Sequence, residues 1–215
     1  MQQDLIGHWK FNGNLNDSTP FSNDGTIIGG VSLTTDRLGK ANSAYDFNGT
    51  TGYIDTGSSA LPNRLTVSAW IYMDSLATQQ TAVSNARNCC DNTQRGVTLL
   101  PRHNRPSASV WGIDGLGGAY VEDPSFDPSY LSINTWYHLA MTYDGSNLRI
   151  YVNGVLGATD ALSQANNGTA SATLKIGRLG SYAGVFMNGK IDDVRYYSRA
   201  LSDAEMITLY NTYDD

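Results

Sequence analysis

Residues Thr135–Leu156 read "TWYHLAMTYDGSNLRIYVNGVL". Asp144-Gly145 and Asn153-Gly154 are dipeptides that tolerate positive φ and so close tight hairpins. Between them the apolar residues alternate: Leu139, Met141 and Tyr143 on one segment, Leu148, Ile150 and Val152 on the next. A period of two is the mark of a strand with one face in a core. Arg149, Tyr151 and Asn153 face the other way. The stretch therefore predicts three consecutive antiparallel strands in an all-β chain.

The same period runs through "LTVSAWIYM", Leu65–Met73, where Leu65, Val67, Ala69, Ile71 and Met73 share one face. Thr66, Ser68, Trp70 and Tyr72 share the other, which is aromatic enough to be partly covered. In "GKIDDVRYY", Gly189–Tyr197, the alternation breaks, because Ile191 and Val194 are three apart and cannot share a face in a regular strand. A bulge at Asp192-Asp193 reconciles them. The following "LSDAEMITLY" predicts one short helix, with Ser202 as N-cap, Glu205 closing a capping box and Leu201 stapled onto Met206. Met206, Leu209 and Tyr210 would lie on the strands as a cover.

A chain of 215 residues can bury one substantial core, and it contains no internal repeat or linker, so one domain spanning 1–215 is expected. Charged residues make up 16% and hydrophobic ones 40%, with 22 glycines, the balance of a globular chain with many turns. Fourteen Lys and Arg against twenty Asp and Glu leave a net charge of −6, and no cationic run tracks a phosphate backbone. Nucleic acid is excluded as a partner. No apolar run approaches the roughly 20 residues that span a bilayer, so membrane insertion is excluded as well.

Four stretches carry a resemblance: Leu5–Gly30, "LIGHWKFNGNLNDSTPFSNDGTIIGG"; Ala44–Gly57, "AYDFNGTTGYIDTG"; Thr135–Gly154; and Gly189–Tyr210, "GKIDDVRYYSRALSDAEMITLY". In this order they resemble laminin-G-like domains of the concanavalin A-like lectin/glucanase superfamily. The resemblance implies an all-β, two-sheet antiparallel jelly-roll sandwich with a short C-terminal helix. It implies a carbohydrate-binding or adhesion module of a secreted or cell-surface protein, with a polysaccharide, a glycan or a protein as partner. A fold of this kind hosts many functions and does not name the ligand. Ala77–Tyr130 departs from the family pattern, and ligand specificity is expected there.

The loop "NGNLNDSTPFSNDGT" is dense in residues that supply the hard oxygens calcium requires. By resemblance, Asp17, Asn23 and Asp193 are the expected ligands of a structural Ca2+, with Asp192 the alternative to Asp193. The competing reading is that these side chains only build turns, since Asn and Asp readily bond their own backbone.

In "NARNCCDNTQRGVTLLPRHNRP", Asn85–Pro106, Arg87, Arg95, Arg102, His103 and Arg105 surround the chain's only cysteines, Cys89 and Cys90. The segment reads mostly as loop, with one short strand at "GVTLL". Arginine's planar fork suits carboxylates, sulfates and vicinal hydroxyls. With Trp111 and Tyr120 as stacking rings, these residues are the expected contacts for an acidic polysaccharide. The alternative pairs the arginines with nearby acids on an ordinary surface. Cys89 and Cys90 form either a vicinal disulfide in an oxidising compartment or two reduced thiols elsewhere.

Related glucanases place carboxylates in an E-x-D-x-x-E strand pattern. Here Glu122 and Glu205 are the only glutamates and the pattern is missing. The chain is therefore expected to be non-catalytic, with a polysaccharide lyase using Arg102, His103 and Tyr120 as the weaker competitor.

Overall fold

The computed structural model describes residues 3–76, 79–86, 96–102, 105–111, 119–122, 131–161, 170, 172–180 and 184–212. Two antiparallel sheets pack face to face with one helix on the outside. The first sheet contains β1 (Leu5–Trp9), β3 (Val31–Thr34), β4 (Ala44–Asn48), β6 (Leu65–Met73), β11 (Trp136–Tyr143), β12 (Asn147–Val152), β13 (Val155–Ala161) and β15 (Asn188–Tyr197). Its order is β13-β12-β11-β6-β15-β4-β3, with β1 on the second half of β15. The second sheet runs β10 (Ala119–Glu122), β9 (Arg105–Trp111), β8 (Gly96–Arg102), β7 (Val83–Ser84), β14 (Lys175–Ile176), β5 (Tyr53–Asp55), β2 (Thr26–Ile28).

The hairpins form where their turn residues dictate. Val152 pairs with Val155 across Asn153-Gly154, both at positive φ (51° and 78°), the backbone that a two-residue turn between twisted strands demands. Asp144 Oδ1 accepts from the amides of Ser146 and Asn147 and fixes the other turn. Leu65, Val67, Ala69, Ile71 and Met73 bury their faces with Leu139, Met141, Leu148 and Ile150. Val83, Val97, Leu99 and Val110 of the second sheet close the same core.

The register of β15 against β6 slips between Asp192 and Arg195, and Asp193 sits at φ 47°. This is the bulge, and it returns Val194 to the core alongside Ile191. The helix α1 (Asp203–Asn211) starts at Ser202 with both halves of the capping box present. Leu201, Met206 and Leu209 pack on Ala140, Tyr151 and Tyr197, so the helix covers one half of the outer face of the first sheet.

The strand expected at Gly96–Leu100 is present and longer: β8 continues through Pro101 to Arg102, and β9 begins at Arg105, while residues 87–95, 103 and 104 lie outside the described residues. Pro101 faces Pro106 and Arg102 faces Arg105 at the end of this hairpin. The prolines are accommodated because they sit near the end of a ladder, where a missing N–H costs little.

Candidate functional site

On the outer face of the first sheet, the half that α1 leaves open carries two rows of side chains. Strand register defines them: Lys190, Tyr72 and Trp136 align across β15, β6 and β11, and Asp192, Trp70 and His138 align in the next same-face row. Tyr72 and Trp136 lie 5.6 Å apart at 56°, and the Lys190 ammonium stands 4.6 Å over the Tyr72 ring. Trp70 is buried beneath this surface. Tyr210 of α1 stacks on it at 5.5 Å, and the Arg37 guanidinium lies 4.4 Å from its ring centre. Trp70 thus anchors the Tyr210 ring of α1, the His138 ring of β11 and the Arg37 cation of the β3–β4 turn.

Arg37 is delivered by the turn between β3 and β4. There Asp36 Oδ1 accepts from the amides of Leu38 and Lys40, and Gly39 takes φ 85°. From this turn Arg37 donates to Asp192 Oδ2 at 2.7 Å and to the Thr212 carbonyl at 3.3 Å. The result is a shelf with a hollow of about 340 Å³, bordered by Arg37, Leu38, Trp70, Trp136 and Tyr210. Partly exposed aromatic rings fixed by buried neighbours suit a ligand that has an apolar face and polar edges.

The charges beneath the shelf are tightly coupled. Burial and the neighbouring Asp193 carboxylate push Asp192 up to about 7 despite the Arg37 contact. Burial acts upward on Asp193 as well, but the hydrogen bond from His8 and the charge of Arg195 bring it down to about 2. Burial lowers His138 to about 3, so it is neutral, and its Nδ1 has no hydrogen-bond partner among the described residues.

Asp17, Asn23 and Asp193 are all described. Asp17 Oδ1 accepts from the amides of His8 and Thr19, and Oδ2 accepts from the Thr19 hydroxyl and from the amide and side chain of Asn23. The Asn23 carbonyl takes the indole N–H of Trp9. His8 Nε2 donates to Asp193 Oδ1 at 2.9 Å, and Arg195 donates to both Asp193 oxygens at 2.9 and 3.1 Å. Asp192, the alternative ligand, turns to Arg37. These oxygens already receive N–H and O–H donors, and Arg195 supplies the positive charge at Asp193. As placed, the three residues do not fit a calcium ion: they form a turn and a buried ion pair.

The expected sugar contacts are less fully placed. Arg87, Cys89, Cys90, Arg95 and His103 lie outside the described residues. Arg102, Trp111 and Tyr120 are placed by their backbone, on β8, β9 and β10. Arg102 pairs with Arg105 at one end of the β8–β9 hairpin and Trp111 with Gly96 at the other, roughly 20 Å away at strand rise. The fold does not bring these two together. Tyr120 faces Ser109, near the Trp111 end.

The aromatic face of Leu65–Met73 is visible in sequence through Trp70 and Tyr72, but strand period alone does not mark it as a site. What completes the shelf, Arg37, Trp136 and Tyr210, comes from positions 35, 64 and 138 residues away from Tyr72, and no local pattern joins them.

No curated protein sequence matches the chain. Among solved structures it is similar to domain 4 of AbnA, a GH43 extracellular arabinanase from Geobacillus stearothermophilus, in complex with arabinotriose. The identity is 23% and the TM-score 0.75, over 96% of this chain and 98% of that one. It is also similar to the binding domain of botulinum neurotoxin DC in complex with SialylT, at 16% identity and TM-score 0.72, covering 98% of this chain and 52% of the toxin domain. The binding domain of Paraclostridial Mosquitocidal Protein 1 matches at 16% identity and TM-score 0.71, again over 52% of its length. The chain thus spans about half of these toxin domains and nearly all of the arabinanase domain. A laminin-G family model matches residues 48–206, and with the two-sheet architecture this makes the chain a member of the concanavalin A-like lectin/glucanases superfamily.

Proposed function

We propose that the chain is a non-catalytic carbohydrate-binding module of a larger secreted or surface protein, and that its sugar rests on the Tyr72–Trp136–Tyr210 shelf. The observation that carries this reading is the shelf itself: Tyr210 stacked on buried Trp70 and Tyr72 packed against Trp136, with Lys190 and Arg37 at the margins to bond hydroxyls. The glycan in the arabinanase-domain complex supports the class of ligand. The non-catalytic reading is supported by the adjacent carboxylates Asp192 and Asp193, which are committed to Arg37, His8 and Arg195 rather than presented as an acid and nucleophile pair.

Lys190 lies opposite Asp46 of β4 and Arg37 is paired with Asp192, so the shelf's charges are balanced and an uncharged glycan such as an arabino-oligosaccharide is the favoured occupant. Isothermal titration with arabinotriose and with neutral and acidic oligosaccharides tests the proposal. Trp136→Ala should weaken binding by about tenfold or more through loss of a stacking ring. Binding that survives Trp136→Ala unchanged places the sugar elsewhere. Failure to bind any glycan by a folded chain transfers the role to a protein partner.

A further inference from the structure

On the far side of the sandwich, the outer face of the second sheet carries a cation held between two rings. Ile54 and Ile176 belong to the core, so their neighbours Tyr53, Asp55 and Lys175 lie on the opposite, outer face. Gly177 then takes φ 85°, and a Cβ there would run into the core ring of Phe47. The alternation shifts by one residue, and Arg178 joins Tyr53 and Lys175 on the outside. Bonds from the Leu179 amide to the Val185 carbonyl at 3.0 Å and from the Met187 amide to the Gly177 carbonyl at 2.8 Å hold Phe186 opposite Arg178. The Arg178 guanidinium lies 4.8 Å from the Tyr53 ring centre and 5.3 Å from that of Phe186.

Arg37, Arg149, Arg195 and Arg199 each pair with a carboxylate, and Lys175 is held by Asp55 and Thr173. Arg178 is half-buried and pairs with no carboxylate among the described residues. Its Nε is buried without a hydrogen-bond partner, so the donors it turns outward are the two terminal nitrogens. A guanidinium against aromatic rings is fixed in place while its in-plane N–H groups stay free, a planar fork that matches a carboxylate. The Tyr53 ring is partly exposed, and its hydroxyl has no partner among the described residues. It can bond a ligand hydroxyl while the ring covers an apolar face. The cluster therefore offers an unspent positive charge, an unspent phenol and ring surface within one side chain's reach of each other.

We infer that Arg178, Tyr53 and Phe186 form a second ligand site, for a uronic acid residue whose carboxylate meets the Arg178 fork and whose ring and hydroxyl rest on Tyr53. The inference stands apart from the shelf, which lies on the other sheet, and does not rest on it. An NMR titration of the full chain with galacturonate, galactose and acetate tests it, following the amides of Gly177, Arg178 and Leu179. Galacturonate should shift these signals saturably and bind about tenfold or more tighter than galactose, the gain of a charge-assisted fork. Acetate, which has the carboxylate without the sugar, should bind several-fold more weakly than galacturonate. Arg178→Lys keeps the charge and loses the fork, and should weaken galacturonate several-fold with an unchanged Tm; Tyr53→Phe keeps the ring and should weaken it as well. Trp136→Ala should leave galacturonate binding unchanged while abolishing binding on the shelf, so the two sites fail separately. Equal affinity for galactose or for acetate, no saturable shift with galacturonate, or unchanged binding by Arg178→Lys would overturn the assignment.

Discussion

Asp192 and His138 flank Trp70 in one row of the sheet, and their titrations oppose each other. His138 titrates near 6.5 when unfolded and near 3 when folded, so the unfolded chain binds the extra proton and stability is lost as pH falls between those values. Asp192 has an unfolded value of 3.8 and a folded value of about 7. Here the folded chain binds the extra proton, and stability is lost as pH rises from about 4 to 7. Each slope approaches at most about 1.4 kcal/mol per pH unit, and over pH 4 to 6.5 they nearly cancel. Thermal melts should therefore show a flat contribution from this pair in the wild type. His138→Gln should unmask a Tm that falls as pH rises, and Asp192→Asn a Tm that climbs. Identical pH profiles for the two variants would refute the assignment. Neither shift could be read from sequence, because both arise from burial by chain segments distant in order.

At the scale of elements, local rules sufficed where the partners are near in sequence. Asn153-Gly154, the Ser202–Glu205 box and the Leu201–Met206 staple are contacts within five residues of one another, and each stands as expected. Ser202→Ala removes the acceptor of the Glu205 amide and should cost about 1 kcal/mol, read as a lower Tm with the fold retained. The bulge was also legible, because the spacing of Ile191 and Val194 admits no regular strand. Its consequence was not: Asp192 and Asp193 go to different partners, Arg37 for the first and His8 and Arg195 for the second. The loop composition of Asn12–Thr26 is the same for a metal cage and for a self-bonded turn, and only the donor positions separate them. Adding calcium or EDTA should accordingly leave the Tm unchanged. A clear rise in Tm with calcium would require a ligand set other than the one seen at Asp17, Asn23 and Asp193.

For the molecule as a whole, the two sheets and the covering helix assign the outer face of the first sheet two roles. One half is sealed by α1, and the other keeps Tyr72, Trp136 and Tyr210 at the surface. The all-β sandwich was legible because strand period and turn dipeptides recur along the chain. The shelf was not, because it depends on which strands become neighbours: β6 lies between β11 and β15, elements that begin 63 and 115 residues after it ends. Glycan binding by this shelf is tested by affinity electrophoresis on a panel of neutral and acidic polysaccharides, run with the wild type and Trp136→Ala. The wild type should be retarded by at least one neutral polymer, and the variant, with an unchanged Tm, should not. Equal retardation of both proteins, or of neither, would rule the shelf out as the glycan site.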